Sequence, residues 1–169
     1  GSDDGTLYAL DLPTGKEKWR FDSGAAIEAP PLLAFGAVHG ANLDGTLFSL
    51  EQSTGKKRWL FQAEAQISGS PNFFSLSGGK KKRIVAGSYD NRLYCIDAES
   101  GRKVWTVEAE SYINGSPSVD SGLVVFGGCD AQVRAVRTDS GRVHFLVDAG
   151  SYIPGSVAIS GGYAVAAHY

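Results

Sequence analysis

The sequence predicts an all-β protein built from four-stranded antiparallel sheets that repeat along the chain, and three observations support this prediction. The stretch "ALDLPTGKEKW", from Ala9 to Trp19, returns forty residues later as "SLEQSTGKKRW". Short runs of β-branched and aromatic residues alternate with clusters of Gly, Asp, Asn and Ser that are typical of turns. Glycine accounts for 22 of 169 residues, about twice its usual share, and no helical periodicity is sustained.

Four copies of the repeated stretch can be aligned, and they begin at residues 5, 45, 91 and 131. The aromatic residue that closes the motif is, in order, Trp19, Trp59, Trp105 and Phe145, so the steps are 40, 46 and 40 residues. We interpret the longer middle step as a loop added by "SLSGGKKKR". A second motif keeps the same steps at Ile27, Ile67, Ile113 and Ile153. Two motifs with one irregular spacing indicate a true structural repeat.

Each copy contains four short strands, which in the third copy are "SPNFF", "RIVAGS", "RLYCID" and "KVWTVE". Four-stranded units that recur every 40 to 50 residues or so are typical of β-propeller blades. The strands run two, four, four, four, two along the chain, so the two terminal pairs together would make a fourth blade. We expect a single domain over residues 1–169, with repeats at about 1–24, 25–64, 65–110 and 111–150 and a partial blade at 151–169.

Composition excludes several classes of partner and site. The net charge of −2 gives no bulk attraction to nucleic acid, and "KKKR" lacks interleaved aromatic residues, so we expect no nucleic-acid binding. Cys95 and Cys129 are far apart and are interpreted as structural thiols. No apolar run is long enough for a membrane helix and no segment is typical of a signal peptide. Because the chain begins inside a repeat, we expect it to be a segment of a longer protein.

The first copy, with Ala9, Asp11, Gly15 and Trp19, resembles the tryptophan-docking motif of β-propeller repeats of the pyrroloquinoline quinone (PQQ) type. That family includes quinoprotein dehydrogenases and non-catalytic members such as the lipoprotein of the bacterial barrel-assembly machinery. The resemblance implies a bacterial periplasm or cell-envelope location. It also implies that each aromatic residue packs between blades, on a small residue and on the Gly turn of a neighbour. The fourth copy departs most from the motif, since it has Arg134, Arg137 and Phe145 at three of its positions.

Two functions remain open. The first is a non-catalytic scaffold, without catalytic residues, metal or cofactor, that binds protein partners or a small ligand. The alternative is a segment of a PQQ-dependent quinoprotein dehydrogenase, which would need PQQ and Ca²⁺. No adjacent cysteine pair is present, no cluster of carboxylates with a ligand Asn is apparent, and the three histidines lack metal-site spacing, so we favour the scaffold.

Propeller topology predicts where charge and binding residues collect. The turns between second and third strands and the loops between blades lie at one end, here called the connecting-loop end, and are predicted to be acidic. The hairpins lie at the opposite end, the hairpin end, and are predicted to be basic. The candidate binding residues are Glu28, Ser68, Tyr112, Asn114 and Tyr152 in the connecting loops, together with Arg134 and Arg137. Because the chain carries half of the eight blades usual in the resembling family, we also expect a homodimer that completes an eight-bladed ring.

Overall fold

The computed structural model describes residues 1–168, which form sixteen β-strands and no helix. The strands of the first half are β1 (Thr6–Leu10), β2 (Glu17–Asp22), β3 (Leu32–Ala34), β4 (Ala37–Ala41), β5 (Thr46–Glu51), β6 (Lys57–Gln62), β7 (Asn72–Leu76) and β8 (Lys81–Gly87). Those of the second half are β9 (Arg92–Asp97), β10 (Lys103–Glu108), β11 (Ser118–Asp120), β12 (Leu123–Gly127), β13 (Gln132–Arg137), β14 (Val143–Asp148), β15 (Ala158–Ser160) and β16 (Tyr163–Val165).

The strands form three complete antiparallel blades flanked by two half-blades. The complete blades are β3–β4–β5–β6, β7–β8–β9–β10 and β11–β12–β13–β14, and the half-blades are the separate two-stranded sheets β1–β2 and β15–β16. The predicted all-β propeller architecture and its order of two, four, four, four and two strands are therefore confirmed. Among the described strands, those of the first and last half-blades form two separate sheets.

A β-bulge recurs in the outer hairpin of each copy, next to the closing aromatic residue. In the first half-blade Ala9 pairs with Trp19 but Leu10 pairs with Glu17, so Lys18 is the extra residue. The same shift lies between Ser49 and Leu50 in the next blade. A bulge adds local twist and re-aims a side chain, so its repetition gives the aromatic residue the same direction in every blade.

The insertion in the middle repeat lengthens a hairpin instead of adding a long loop. Leu76 of β7 pairs with Lys81 of β8, and Ser75 pairs with Lys82. As a result β8 has seven residues, against five in β4 and in β12. The interpretation of "SLSGGKKKR" as a loop is wrong for most of its length.

Within residues 1–168, the buried apolar side chains form four clusters, and each joins one sheet to the next along the chain. One cluster contains Leu7 and Trp19 of the first half-blade with Phe48 of the following blade. The next three clusters join the remaining sheets in order. Each blade therefore has a forward face, which carries the closing aromatic residue, and a backward face, which receives that of the preceding blade.

Candidate functional site

Each tryptophan connects its own blade to the turn of the following one. The indole N–H of Trp19 donates a hydrogen bond to the carbonyl of Gln52 at 3.0 Å. Trp59 donates to the carbonyl of Ala98 at 3.0 Å, and Trp105 donates to that of Thr138 at 3.2 Å. A buried indole needs such a partner, so the hydrogen bond adds direction to the apolar contact.

The glycine of each receiving turn leaves room for the indole. Gly101 has φ +70°, and a Cβ added there would lie 2.7 Å from Cγ of Trp59. Gly55 and Gly141 have the same relation to Trp19 and Trp105. A side chain at these positions would meet both an unfavourable backbone conformation and the indole ring.

Phe145 takes the same position in the last complete blade but has no N–H to donate. Phe145 lines a cavity of about 160 Å³ together with residues of the final half-blade, among them Gly162 and Ala164. Phe145 is 37% exposed, whereas Trp59 is 7% exposed. The fourth contact between sheets is thus more open than the contact made by Trp59.

Arg134 occupies the position that a tyrosine has in the first and third copies, and it contacts the equivalent aspartate. Tyr8 and Tyr94 donate their hydroxyl hydrogen bonds to Asp4 and Asp90, four residues earlier. The Arg134 guanidinium contacts both carboxylate oxygens of Asp130, at 2.9 and 2.6 Å.

Both members of the Arg134–Asp130 pair are buried, with side-chain exposures of 7% and 5%. Although burial alone would favour the neutral acid, the hydrogen bonds from Arg134 and from the Glu110 amide lower the pKa of the Asp130 carboxyl. The guanidinium is therefore engaged inside its own blade.

Arg137 also has an internal partner. In the first three copies an acidic residue occupies its position and accepts hydrogen bonds from hydroxyls of the following turn, as Asp97 does from Ser100. In the fourth copy the acidic residue lies two positions later, at Asp139. Asp139 accepts hydrogen bonds from Arg137 and Ser140. The hydrogen bond from Arg137, followed by that from Ser140, lowers the pKa of Asp139 to about 2.

Both predicted binding tyrosines are exposed at the connecting-loop end. Tyr112 is 50% exposed and Tyr152 is 46% exposed. Tyr89, which the sequence did not single out, stacks on Tyr112 with the ring centroids 5.0 Å apart and an interplanar angle of 21°. The stacking holds the Tyr112 ring in place and leaves half of its surface accessible.

The other predicted loop residues are only partly brought together. The hydroxyl of Ser68, in the loop before β7, donates to the carbonyl of Asn114, in the loop before β11, at the long distance of 3.5 Å. The side-chain Oδ1 of Asn114 is buried without a hydrogen-bond partner. Glu28 is exposed and lies in the loop that leads from the first half-blade to β3.

Serine side chains link the innermost segments of successive blades. The amide of Ser70 donates to Oγ of Ser116, and the amide of Ser116 donates to Oγ of Ser156, both at 2.9 Å. A Cβ added to Gly115 would lie 2.2 Å from the carbonyl oxygen of Gly155. The "GS" dipeptide of the second motif thus permits close approach of neighbouring backbones, which explains its recurrence in structural terms.

Much of the charge at the connecting-loop end is used within the protein. Asp90 accepts a hydrogen bond from the amide of Glu64 in the preceding loop. Arg92 pairs with Glu64 at 2.8 Å and with Glu108 at 3.4 Å. These contacts partly neutralise the predicted acidic surface and tie its loops together.

A buried polar pair in the first complete blade was missed in the sequence. His39 and Ser49 are opposite each other in β4 and β5, and both are 0% exposed. Neither ring nitrogen of His39 nor Oγ of Ser49 has a hydrogen-bond partner, and the His39 ring lies 5.7 Å from that of Trp59. A comparison of the copies could have revealed this pair, because the third repeat has Val85 and Cys95 at the two equivalent positions.

The described residues offer little for metal or redox chemistry. Within residues 1–168, no group of three or more His, Cys, Asp and Glu side chains is placed to hold a metal ion. Cys95 and Cys129 are both free thiols, and burial raises the pKa of Cys95 to about 12. In the same part of the chain, no helix is long and apolar enough to cross a membrane.

Comparison with known proteins identifies the family. The family model described as "Outer membrane protein assembly factor BamB" matches residues 1–77 and again residues 74–168. The chain belongs to the BamB family. The predicted PQQ-like repeat of the barrel-assembly branch is therefore confirmed, while no curated protein sequence matches the chain significantly.

Solved structures show the fold of the BamB family in this chain. BamB from Moraxella catarrhalis is 23% identical, with a TM-score of 0.76 over 91% of this chain and 46% of that protein. The computationally designed protein Ika8 is 18% identical, with a TM-score of 0.86 over 99% of this chain and 51% of that one. The designed protein Ika4 is 16% identical, with a TM-score of 0.74 over 86% of each chain. The chain thus spans about half the length of the BamB protein and of Ika8.

Proposed function

We propose that the chain is a non-catalytic β-propeller scaffold of the bacterial cell envelope that binds protein partners in outer-membrane protein assembly. The observation that carries this proposal is the BamB family match over residues 1–168. The envelope location and the role in assembly follow from the description of that family.

The connecting-loop end is the surface that we propose for these partners. Exposed tyrosines combine a large apolar ring with a polar hydroxyl, and they are enriched in protein interfaces. Tyr112 and Tyr152 occupy equivalent loops of successive repeats, forty residues apart, and both are about half exposed. Since the amides of Glu110 and Ser116 donate hydrogen bonds to Asp130 and Ser156 of the following repeat, Tyr112 is presented on a rigid support.

Site-specific photo-crosslinking tests this surface. A photoreactive phenylalanine analogue replaces Tyr112 or Tyr152 in turn, and a bacterial outer-membrane extract is added before irradiation. The matched control carries the analogue at Leu60, which is 48% exposed on the outer strand β6. We expect both tyrosine positions to capture the same envelope protein and Leu60 to capture much less of it. Similar products from all three positions would contradict the assignment of this surface.

Alanine variants then measure the energetic contribution of the tyrosines. Once a captured protein is identified, Tyr112→Ala and Tyr152→Ala should each weaken its binding at least about fivefold, because truncation of a well-packed interface aromatic costs at least about 1 kcal/mol. Leu60→Ala serves as the control. Unchanged affinity in both tyrosine variants would remove the tyrosines from the proposal.

The quinoprotein alternative has its own test. Addition of PQQ and Ca²⁺ to the purified chain should cause no change in the cofactor absorbance spectrum and no dye-linked alcohol oxidation. The expected result follows from the absence, in the described residues, of a cluster of His, Cys, Asp and Glu suited to a metal ion. A saturable spectral change would favour the alternative.

A second copy of the chain is a further proposed partner. Three complete blades and two half-blades amount to four blades, so two copies would supply the strands of an eight-bladed ring.

A further inference from the structure

We propose that a groove at the hairpin end, between the complete blades β7–β8–β9–β10 and β11–β12–β13–β14, binds an acidic polypeptide segment that carries an aromatic side chain. Every residue that lines this groove belongs to one of these two complete blades. The groove lies at the end of the propeller opposite to the tyrosines of the proposed function, so either proposal can fail without the other.

The basic residues of the chain are concentrated at the hairpin end. This end comprises the hairpin turns and the three strand positions on either side of each turn, and it carries thirteen of the sixteen Lys and Arg residues. Seven of the eighteen Asp and Glu residues lie there, so its formal charge is +6, whereas the rest of the chain has a formal charge of −8. Charge separated in this way attracts an acidic partner to the hairpin end and orients it before contact.

The groove between the two blades has a volume of about 310 Å³ and a mixed lining. Its apolar part consists of Leu76 of β7 with Val104 and Trp105 of β10. Lys81 and Arg83 of β8 are among its polar residues. The volume is close to the lower limit of ligand sites in proteins, about 300 Å³, and therefore suits a single bulky side chain of a partner.

The preceding pair of blades shows an aromatic ring beside the corresponding hairpin. Phe35 is the first turn residue of β3–β4 and has φ 54°, which is strained for a bulky residue. Its ring packs on the cluster that contains Trp59, and its centroid lies 5.3 Å from that of the Phe73 ring and 5.6 Å from Nζ of Lys82. The first turn residue of β7–β8 is Ser77, which also has φ 54°. The serine leaves a space where the shorter hairpin has a phenylalanine ring.

Lys81 supplies the charge that is available to a ligand in this groove. Arg83 and Asp139, which also line it, already have ion-pair partners inside their own blades. Lys81 is exposed and belongs to none of the ion pairs among the described residues. In the proposed complex an aromatic side chain packs on Trp105, and an acidic neighbour in the same segment pairs with Lys81. A single side chain can enter the groove and reach the indole, whereas the flat surface of a bilayer cannot.

NMR titration of the indole signals tests the site directly. The chain has three tryptophans, and the indole N–H of each lies at a different junction between blades, so each signal reports one junction. The probe is an acetylated and amidated peptide, Asp-Asp-Phe-Asp-Asp. We expect it to shift the Trp105 signal and to leave those of Trp19 and Trp59 nearly unchanged. Equal shifts of all three signals, or no shift of the Trp105 signal, would overturn the proposal.

Two matched peptides separate the contribution of the aromatic ring from that of charge. Replacement of the central Phe by Ala should weaken binding at least about fivefold, because the groove loses its apolar contact. A peptide with Lys in place of every Asp should not bind at concentrations at which the acidic peptide saturates the site. Equal affinity for either control would contradict the proposal. Vesicles of phosphatidylglycerol that bind the chain and are not displaced by the acidic peptide would assign the surface to a membrane instead.

Substitutions in the protein locate the site. Lys81→Glu should weaken peptide binding about tenfold by replacing an attraction with a repulsion, whereas Lys56→Glu makes the same change on another hairpin and should have a smaller effect. Ser77→Phe should block the groove, and Ser121→Phe is its control at the same turn position of β11–β12. Midpoints of urea denaturation show whether each variant is folded. Equal affinities of Lys81→Glu and Lys56→Glu, or unchanged binding by a folded Ser77→Phe variant, would overturn the proposal.

Discussion

His39 makes the contact between the first two complete blades sensitive to acid, and His39→Val should remove this sensitivity. Burial lowers the pKa of His39 from 6.5 to about 4, and the charge of Arg58 acts in the same direction. The carbonyl of Ala34 opposes the shift but does not form a hydrogen bond of good geometry. Valine is the residue found at the equivalent positions 85 and 125.

The direction of the pH dependence follows from the proton affinities of His39 in the unfolded and folded states. The unfolded chain binds a proton on His39 below pH 6.5, whereas the folded protein resists protonation until about pH 4. Stability from neutral His39 is therefore complete above about pH 6.5 and is lost as the pH falls towards 4. Because each tenfold difference in proton affinity is worth about 1.4 kcal/mol, the loss between pH 7.5 and pH 4.5 is about 2.5 kcal/mol.

Urea denaturation at pH 7.5 and pH 4.5, at one protein concentration, measures this difference. Tryptophan fluorescence is a suitable signal because the rings of His39 and Trp59 are 5.7 Å apart. Acid titrates other groups in both proteins, so the relevant quantity is the difference between wild type and His39→Val. The wild type should lose about 2.5 kcal/mol more than the variant. Equal losses would refute the assignment of acid sensitivity to His39.

Three further predictions concern stability and use the same denaturation assay. Trp59→Ala should cost about 3–5 kcal/mol, since it removes a buried aromatic ring, and Trp59→Phe should cost less; equal costs would contradict the packing argument. Arg134→Ala should cost about 3–5 kcal/mol, because it leaves the Asp130 carboxylate buried without its ion-pair partner. Arg134→Tyr should retain most of the stability. An alanine variant as stable as the wild type would contradict the pairing role of Arg134. Gly101→Ala should destabilise the protein more than Gly15→Ala, because their φ angles are +70° and +69° but only Gly101 contacts an indole; similar costs would show that backbone strain alone matters.

The repeat made most of the fold predictable. Strands β9 and β10 match the predicted segments "RLYCID" and "KVWTVE" residue for residue, because alternation and turn residues mark both of their ends. The error at β7–β8 has a physical cause. Lys81 and Lys82 extend the hairpin beyond the core and remain at least partly exposed, so their strand carries no apolar alternation that a sequence could reveal.

The candidate site was less predictable because strand and turn patterns do not indicate which side chains become partners. The sequence marked Arg134 as a departure from the repeat but did not reveal its partner. The spacing that identifies this partner was visible, however, since Asp4 and Tyr8 are four residues apart, as are Asp90 and Tyr94. The stacking of Tyr89 on Tyr112 depends on how two blades meet, and local patterns do not report that geometry.

The indole N–H of each tryptophan donates to a backbone carbonyl of the following blade, and this arrangement has an evolutionary consequence. Because each repeat that ends in tryptophan donates with its forward face, and the following repeat accepts with its backward face, a duplicated repeat brings both halves of a working contact with it. An in-frame duplication or loss of about forty codons, the step between Trp19 and Trp59, can thus change the number of blades without the invention of a new interface. The number of blades can therefore change by whole repeats, whereas a single substitution of an indole removes one contact.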